Sequence, residues 1–237
     1  ILHSMQKESQ FLYLKKYLPT LSLQERIKYT EGIGEEWTKI INQENVLADR
    51  DLNLYRTIKI GTQIWLADNL NVATFSNGDI IPEVKDKKEW KKAGEEGRPA
   101  CCYYDNDPSK GFEYGKLYNW YAVNDKRGLA PEGFHIPNEL EWDTLVNYSG
   151  DNAGNKIKSN YGWKENTGTN TSGFSGLPAG YRYEGVFSYF GSGGFWWSSV
   201  ECSSAYAWFR SLYYLNGAVY KDSNTKENGL SVRCLRD

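Results

Sequence analysis

The strongest constraint on the fold is a run of short aromatic segments between glycines in the C-terminal third of the chain. The stretch "GLPAGYRYEGVFSYFGSGGFWWSSVE" repeats glycines every few residues, and between them lie tyrosine, phenylalanine and tryptophan, which favour strands. We therefore predict short strands joined by glycine turns, with long loops of the kind that binding scaffolds carry. The adjacent Trp196 and Trp197 are predicted to be core residues.

Charge and hydropathy exclude several kinds of partner. The formal net charge is −2 and no basic run is present, so we predict no binding of nucleic acid. No apolar run approaches the roughly 20 residues that cross a bilayer, so we predict no membrane span.

The cysteines have neither C-x-x-C spacing nor histidine partners, which argues against zinc; they are Cys101, Cys102, Cys202 and Cys234. A disulfide between Cys102 and Cys234 stays open.

Residues 1–56 are predicted to form a helical segment ahead of a second domain at 57–237. Met5 is the only methionine, so we interpret Ile1–Ser4 as a tag remnant and see no signal peptide. Two short amphipathic helices are predicted, the second beginning at a capping box of Ser22 and Glu25. Apolar helical stripes usually pack, so we interpret the segment as one for attachment or oligomerisation, which leaves a homo-oligomer open.

The second domain begins with alternating isoleucines that predict a hairpin turning at Gly61. A charged helix is predicted at Asp86–Ala93, with its charges on a solvated face. Another helix begins at Asn138, whose side chain forms a capping box with Glu141. Its predicted buried side comprises Leu140, Trp142, Leu145 and Val146. Helices and antiparallel strands together predict the α+β class.

No set of side chains suggests catalysis. His135 is predicted to make a structural hydrogen bond, and no Ser/His/Asp or Cys/His set can be assembled. Glu139 and Asp143 share a helix face, where paired carboxylates are usually solvated. An acidic turn from Asp105 begins like a calcium loop but lacks its glycine and its final glutamate. We therefore predict a protein without catalytic residues, a functional metal or a cofactor, while a structural ion held by the acidic turn stays open.

Five motifs in order resemble a known bacterial family: "IKIGTQIWLADNLNVATFSNGDIIP", "GKLYNWYAVNDKRGLAPEGFHIPNELEW", "SGFSGLPAGYR", "GGFWWSSVE" and "NGLSVRCLRD". By them the chain from Thr57 to Asp237 is identified as a member of the Fibrobacter succinogenes major paralogous domain (FISUMP) family. The resemblance implies a C-type lectin-like fold, with short helices around a small twisted antiparallel sheet. The same fold group includes the formylglycine-generating enzymes, whose "G-x-R-L-P-T-E-A-E-W" element is similar to "GFHIPNELEW".

Some members of the family resemble variable proteins of diversity-generating retroelements, in which adenines of a repeat are randomised to vary a binding surface. In those members, asparagine codons that vary would lie between fixed residues of the pattern "AW-R-L-Y". Each residue of this chain at such a variable position, Cys202 included, is reachable from an AAC codon by changing adenines only. The resemblance therefore implies a ligand-binding surface. Its residues are Ser203, Ala205, Tyr206, Phe209, Ser211, Tyr213, Leu215, Ala218, Tyr220, Asp222, Ser223, Asn224 and Thr225.

Alternation along the strand supports this surface. Phe209, Ser211 and Tyr213 share one predicted face, so variation there leaves the other face untouched. We expect that face to be open, together with Tyr206 and Tyr220, and the opposite set to be buried, namely Trp208, Leu212 and Tyr214. Tyrosine with serine is also the mixture that antibody paratopes use. The alternative is a strand pair buried on both sides, in which the tyrosines are core.

The sequence thus predicts a non-enzymatic binding protein whose ligand is a protein or glycan on another surface. We expect it at the cell surface, secreted, or on a phage particle. One alternative is a fixed bacterial surface adhesin or carbohydrate-binding module. The other is a formylglycine-generating-like enzyme, for which Cys202 and Cys234 would have to supply a redox pair.

Overall fold

The computed structural model describes residues 6–165 and 168–237, and the predicted tag remnant at Ile1–Ser4 lies outside these ranges. The helices of the described part are α1 Lys7–Tyr17, α2 Leu23–Gly32, α3 Gly34–Ile41, α4 Lys87–Glu95, α5 Gly111–Tyr114, α6 Trp120–Val123, α7 Glu139–Ser149 and α8 Ala153–Ile157. The strands are β1 Val46–Ala48, β2 Leu54–Ile60, β3 Gln63–Leu66, β4 Cys101–Cys102, β5 Leu117–Tyr118, β6 Phe134–His135, β7 Ala179–Tyr183, β8 Val186–Phe190, β9 Gly193–Glu201, β10 Tyr206–Tyr213, β11 Tyr220–Thr225 and β12 Leu235–Arg236.

The strands form small antiparallel sheets, which confirms the predicted α+β class. A five-stranded sheet has the order β1-β2-β3-β12-β6, so the last strand of the chain pairs beside the first hairpin of the second domain. A three-stranded sheet has the order β11-β10-β9. The pairs β4-β5 and β7-β8 complete the architecture.

The N-terminal segment contains three helices where two were predicted, because the chain leaves the helical conformation at Ile33, between two glycines. The predicted capping box at Ser22 and Glu25 is present. The helices pack on the first residues of β2 through a cluster that includes Phe11, Leu14 and Leu54. The predicted boundary at 56/57 therefore falls inside a strand that both parts share.

The first hairpin turns at Gly61 as predicted. Its φ is 61°, in the left-handed region that favours glycine. A Cβ at this position would also lie 2.8 Å from Cδ2 of Tyr148. Both the turn and the packing of α7 thus require glycine here.

The three-stranded sheet separates two hydrophobic cores. On one face Phe195 and Trp197 of β9 join a core with Phe209. On the other face Trp196 and Leu212 join a core with residues of α7. Both tryptophans are therefore core residues, as predicted, and they point to opposite sides of β9.

Two predicted helices are present with small corrections. The carboxylate of Asp86 caps α4 by accepting hydrogen bonds from backbone N–H groups, so the helix begins one residue later than predicted. The helix also ends two residues later than predicted, at Glu95. The capping box of Asn138 forms in α7, and Trp142 and Leu145 are buried. Leu140 is 77% exposed, against the prediction, because it lies about 200° around the helix from Trp142.

The cysteines are free thiols, so the disulfide left open for Cys102 and Cys234 is absent. Cys102 lies in a small core with Trp90, whereas Cys234 lies in the core that contains Trp197, which keeps the two thiols apart. Cys202 is exposed. Within the described ranges, no helix is both long and apolar enough to cross a bilayer.

An exposed tyrosine surface

The predicted ligand surface lies on the sheet of β9, β10 and β11. Ser211 is paired with Tyr220 of β11 and with Phe195 of β9, and Phe209 is paired with Asp222 and Trp197. Directly opposed residues in antiparallel strands share a face, so all of these side chains lie on one side of the sheet.

Only part of this face is exposed to solvent. Phe209 is 7% exposed and Ser211 2% exposed, so the prediction of an open position is wrong for both. The hairpin of β7 and β8 lies over this part of the sheet, where the ring of Tyr181 is 4.8 Å from that of Phe195. Phe209 packs beside Phe195 and Trp197 at centroid distances of 6.2 and 6.3 Å. These two positions belong to the core.

The remaining predicted residues are accessible to differing degrees. The exposed ones are Ser203, Ala205, Tyr206, Leu215, Ala218, Tyr220 and Asp222. The half-buried ones are Tyr213, Ser223, Asn224 and Thr225. Of the set that was expected to be buried, Leu212 is buried, whereas Trp208 and Tyr214 are half-buried.

A wider aromatic surface connects the sheet to the covering hairpin. We define the tyrosine surface as Tyr181, Tyr183, Tyr189, Tyr206, Tyr213 and Tyr220. The ring of Tyr189 stacks on Tyr181 at 5.6 Å and meets Tyr213 at 6.0 Å, and Tyr213 meets Tyr220 at 5.6 Å. Four of the six tyrosines are 42–48% exposed. Ring contacts therefore link five of the six tyrosines, with Tyr183 joined to Tyr181 at 6.4 Å, and Tyr206 is close enough to Tyr183 to affect its pKa.

The hairpin members of this surface were missed from the sequence. Glu184 and Gly185 both have positive φ, 48° and 76°, as in the two-residue turn that matches strand twist. The side chain of Asn228 accepts a hydrogen bond from the N–H of Glu184 at 3.3 Å and donates one to Asn224 of β11 at 2.7 Å. Alternating tyrosines on either side of "EG" were the available signal, but no sequence pattern indicates that this hairpin lies over the sheet.

Two buried lysines hold the loops at the ends of β10. Lys158 donates hydrogen bonds to the carbonyl oxygens of Tyr213 and Asn216, at 3.3 and 2.9 Å, in the loop that leads to β11. Lys226 donates to Glu201 at 2.6 Å and to the carbonyl of Ser204 at 2.9 Å, in the loop that enters β10. These bonds from the two lysines fix the backbone of both loops.

A buried arginine joins β10 to α7 on the sheet face opposite Phe209 and Ser211. Arg210 is 2% exposed and donates to Glu139 at 2.8 Å and to Asp143 at 2.7 Å. The prediction that these two carboxylates are merely solvated is therefore wrong, because the guanidinium of β10 bridges them. Lys221 of β11 also pairs with Glu139 at 2.8 Å. The back of the sheet is thus joined to α7 by charge.

The charges beside the tyrosine surface are negative. The carboxylate of Glu184 raises the pKa of Tyr183, with smaller effects from burial and from Glu227. Burial raises the pKa of Tyr213, and the nearby Asp222 adds to this effect. Both phenols therefore keep their protons at neutral pH and can donate hydrogen bonds to a ligand.

The other candidate groups have structural partners. His135 hydrogen-bonds to Asp237 at 2.7 Å and to Glu141 at 2.9 Å, which confirms its structural role. In the acidic turn, Asp105 pairs with Lys110 at 3.1 Å. The described residues contain no group of three or more histidine, cysteine or carboxylate side chains placed to hold a metal ion.

Comparison with known proteins identifies the family of the second domain. The family model described as the Fibrobacter succinogenes major domain matches residues 58–236 of the sequence, which run from within β2 to within β12. No curated protein matches the chain. No solved structure matches it either. Because the match covers well over half of the 237 residues, the chain belongs to the Fibrobacter succinogenes major domain family.

Proposed function

We propose that this protein is a non-enzymatic binding protein that holds a protein or glycan of another surface on its tyrosine surface. The observation that carries the proposal is the convergence of six tyrosines from four strands on one solvent-facing surface. Tyrosine offers a large amphipathic contact at a low cost in side-chain entropy. Exposed aromatic area of this kind is typical of interaction sites.

The architecture behind this surface favours a rigid binding site. The sheet is packed on both faces, and Arg210, Lys158 and Lys226 hold its strands and loops by buried hydrogen bonds. A surface that is ordered before binding loses less entropy on association. Short helices around small antiparallel sheets also support the proposed C-type lectin-like fold.

The proposal extends to diversification of this surface by a retroelement. The exposed candidate residues lie in the two loops around β10, at the first residue of β10 and on the edge strand β11, where a change of side chain disturbs little packing. The buried Phe209 and Ser211 would tolerate only residues that fit the core. Sequencing the surrounding locus tests this extension: it predicts a reverse transcriptase and a near-copy of the final coding stretch that differs only at adenines. Without them, the protein is a fixed surface adhesin or carbohydrate-binding module.

The states of the cysteines support a binding role over oxidative chemistry. A thiolate is the reactive form of cysteine, and burial raises the pKa of Cys102 to about 11 and that of Cys101 to about 12. Cys234 is buried in the core while Cys202 is exposed on a loop, so the pair that the enzyme alternative needs is not assembled. We propose display at a cell surface, in secreted form, or on a phage particle.

The binding surface is tested with matched tyrosine variants. We expect Tyr206→Ser combined with Tyr220→Ser to abolish binding to glycan arrays and to displayed bacterial surface proteins. The control combines Tyr148→Ser with Tyr161→Ser, which removes two tyrosines that are 66% and 50% exposed but lie outside the tyrosine surface. An equal loss of binding in both double variants would count against the proposed site, and so would unchanged binding in both.

A further inference from the structure

The rings of the tyrosine surface are free of cations, unlike many other rings of this chain. Arg182 lies over Trp90 at 4.4 Å, and Lys116 lies over Tyr103 at 3.6 Å. The same pairing recurs through the described part of the chain, from the ring of Phe11 to that of Trp208. Within that part, no lysine or arginine lies over any of the six tyrosines.

Carboxylates lie beside these uncovered rings. Asp222 is on the same sheet face as Tyr220 and is close enough to raise the pKa of Tyr213, after the larger effect of burial. Glu184 is exposed next to Tyr183 on the hairpin. Among the residues that the structure describes, neither Asp222 nor Glu184 has an ion-pair partner. Their charges are therefore available to a ligand.

Two lysines near the tyrosine surface are engaged elsewhere. Lys221 points to the opposite face, where it pairs with Glu139 and lies over Trp208 at 5.0 Å. Lys226 is 5% exposed and pairs with Glu201. Lys87 approaches the hairpin at Gly185 through its aliphatic stem. Lys221 and Lys226 therefore do not pair with Asp222 or Glu184, and none of the three lysines lies over a ring of the tyrosine surface.

We infer that the ligand of the tyrosine surface is a protein segment that presents arginine or lysine side chains, an inference that rests on the proposed binding function. The face of an aromatic ring attracts a cation, and a carboxylate beside it strengthens the attraction. A neutral sugar offers the carboxylates hydroxyl hydrogen bonds but no opposite charge, and an acidic glycan is repelled by them. Complementary charge also selects among partners.

The inference is tested by panning the full chain against a random peptide library and then resynthesising the bound peptides. We expect arginine and lysine to be enriched, and replacement of arginine by the uncharged citrulline to weaken binding about tenfold. Asp222→Asn combined with Glu184→Gln should weaken binding of the basic peptides and flatten its dependence on salt. Glu31→Gln, a change of an exposed carboxylate on α2, is the matched control and should leave binding unchanged.

The outcomes separate this inference from the proposed function. Enrichment of neutral or acidic peptides whose binding is lost in the Tyr206→Ser, Tyr220→Ser variant overturns the basic ligand and leaves the binding surface standing. Equal binding of arginine and citrulline peptides overturns it as well. A library that yields no peptide sensitive to the two tyrosine substitutions overturns both.

Discussion

Replacing Arg210 with methionine tests how the sheet behind the tyrosine surface is held. The guanidinium is 2% exposed, and its two hydrogen bonds to Glu139 and Asp143 are 2.8 and 2.7 Å long. Removing one partner of a buried ion pair costs about 3–5 kcal/mol, because the other charge stays buried without compensation. Here Lys221 still pairs with Glu139, and Asp143 is 48% exposed, so we expect the lower end of that range, about 3 kcal/mol.

The assay is urea denaturation at pH 7 followed by tryptophan fluorescence. A double-mutant cycle with Asp143→Asn should give a coupling energy of about 1 kcal/mol or more, since the two groups are in direct contact. Arg236→Met, at an exposed arginine, is the matched control and should cost under about 1 kcal/mol. A loss at Arg210 no larger than at Arg236 would refute the account of a buried charge cluster.

Three further results are expected. Gly61→Ala should lower the free energy of unfolding by about 1–2 kcal/mol, through its φ of 61° and the contact with Tyr148, as urea denaturation will measure. Burial lowers the pKa of His135, but hydrogen bonds to two carboxylates, one of them Asp237, raise it above the usual value. NMR titration should show that the pKa of His135 is lower in the Asp237→Asn variant than in the parent protein. The interaction of His135 with Asp237 should stabilise the fold fully below about pH 6.5, and this stabilisation should be lost as the pH rises through the folded-state pKa of His135. Ellman's reagent should modify one thiol in the native protein, that of Cys202, and all four after unfolding.

The local structure of this chain followed from its sequence where the signal was local. The turn at Gly61 and the capping boxes at Ser22 and Asn138 depend on a few neighbouring residues, and each is present in the structure. The alternation of β10 was also read correctly, since Phe209 and Arg210 lie on opposite faces. Period-two alternation assigns side chains to faces without any knowledge of the fold.

What covers each face was not predictable in the same way. Phe209 is buried because the hairpin around Glu184 lies over the sheet, and that contact joins residues far apart in the chain. Arg210 is charged, yet it is among the most buried residues because two carboxylates of α7 neutralise it. The predicted residues are therefore accessible along β11 and in the loops but buried at the centre of β10, and the prediction did not include Tyr189 of the covering hairpin.

The most direct test of the central claim is side-chain footprinting of the protein bound to the ligand that the arrays identify. Modification of each tyrosine is measured by mass spectrometry with and without that ligand. The account predicts protection of Tyr183, Tyr206 and Tyr220, with no change at Tyr148 and Tyr161. Protection confined to Tyr148, Tyr161 or the N-terminal helices, with the tyrosine surface still modified, would contradict it.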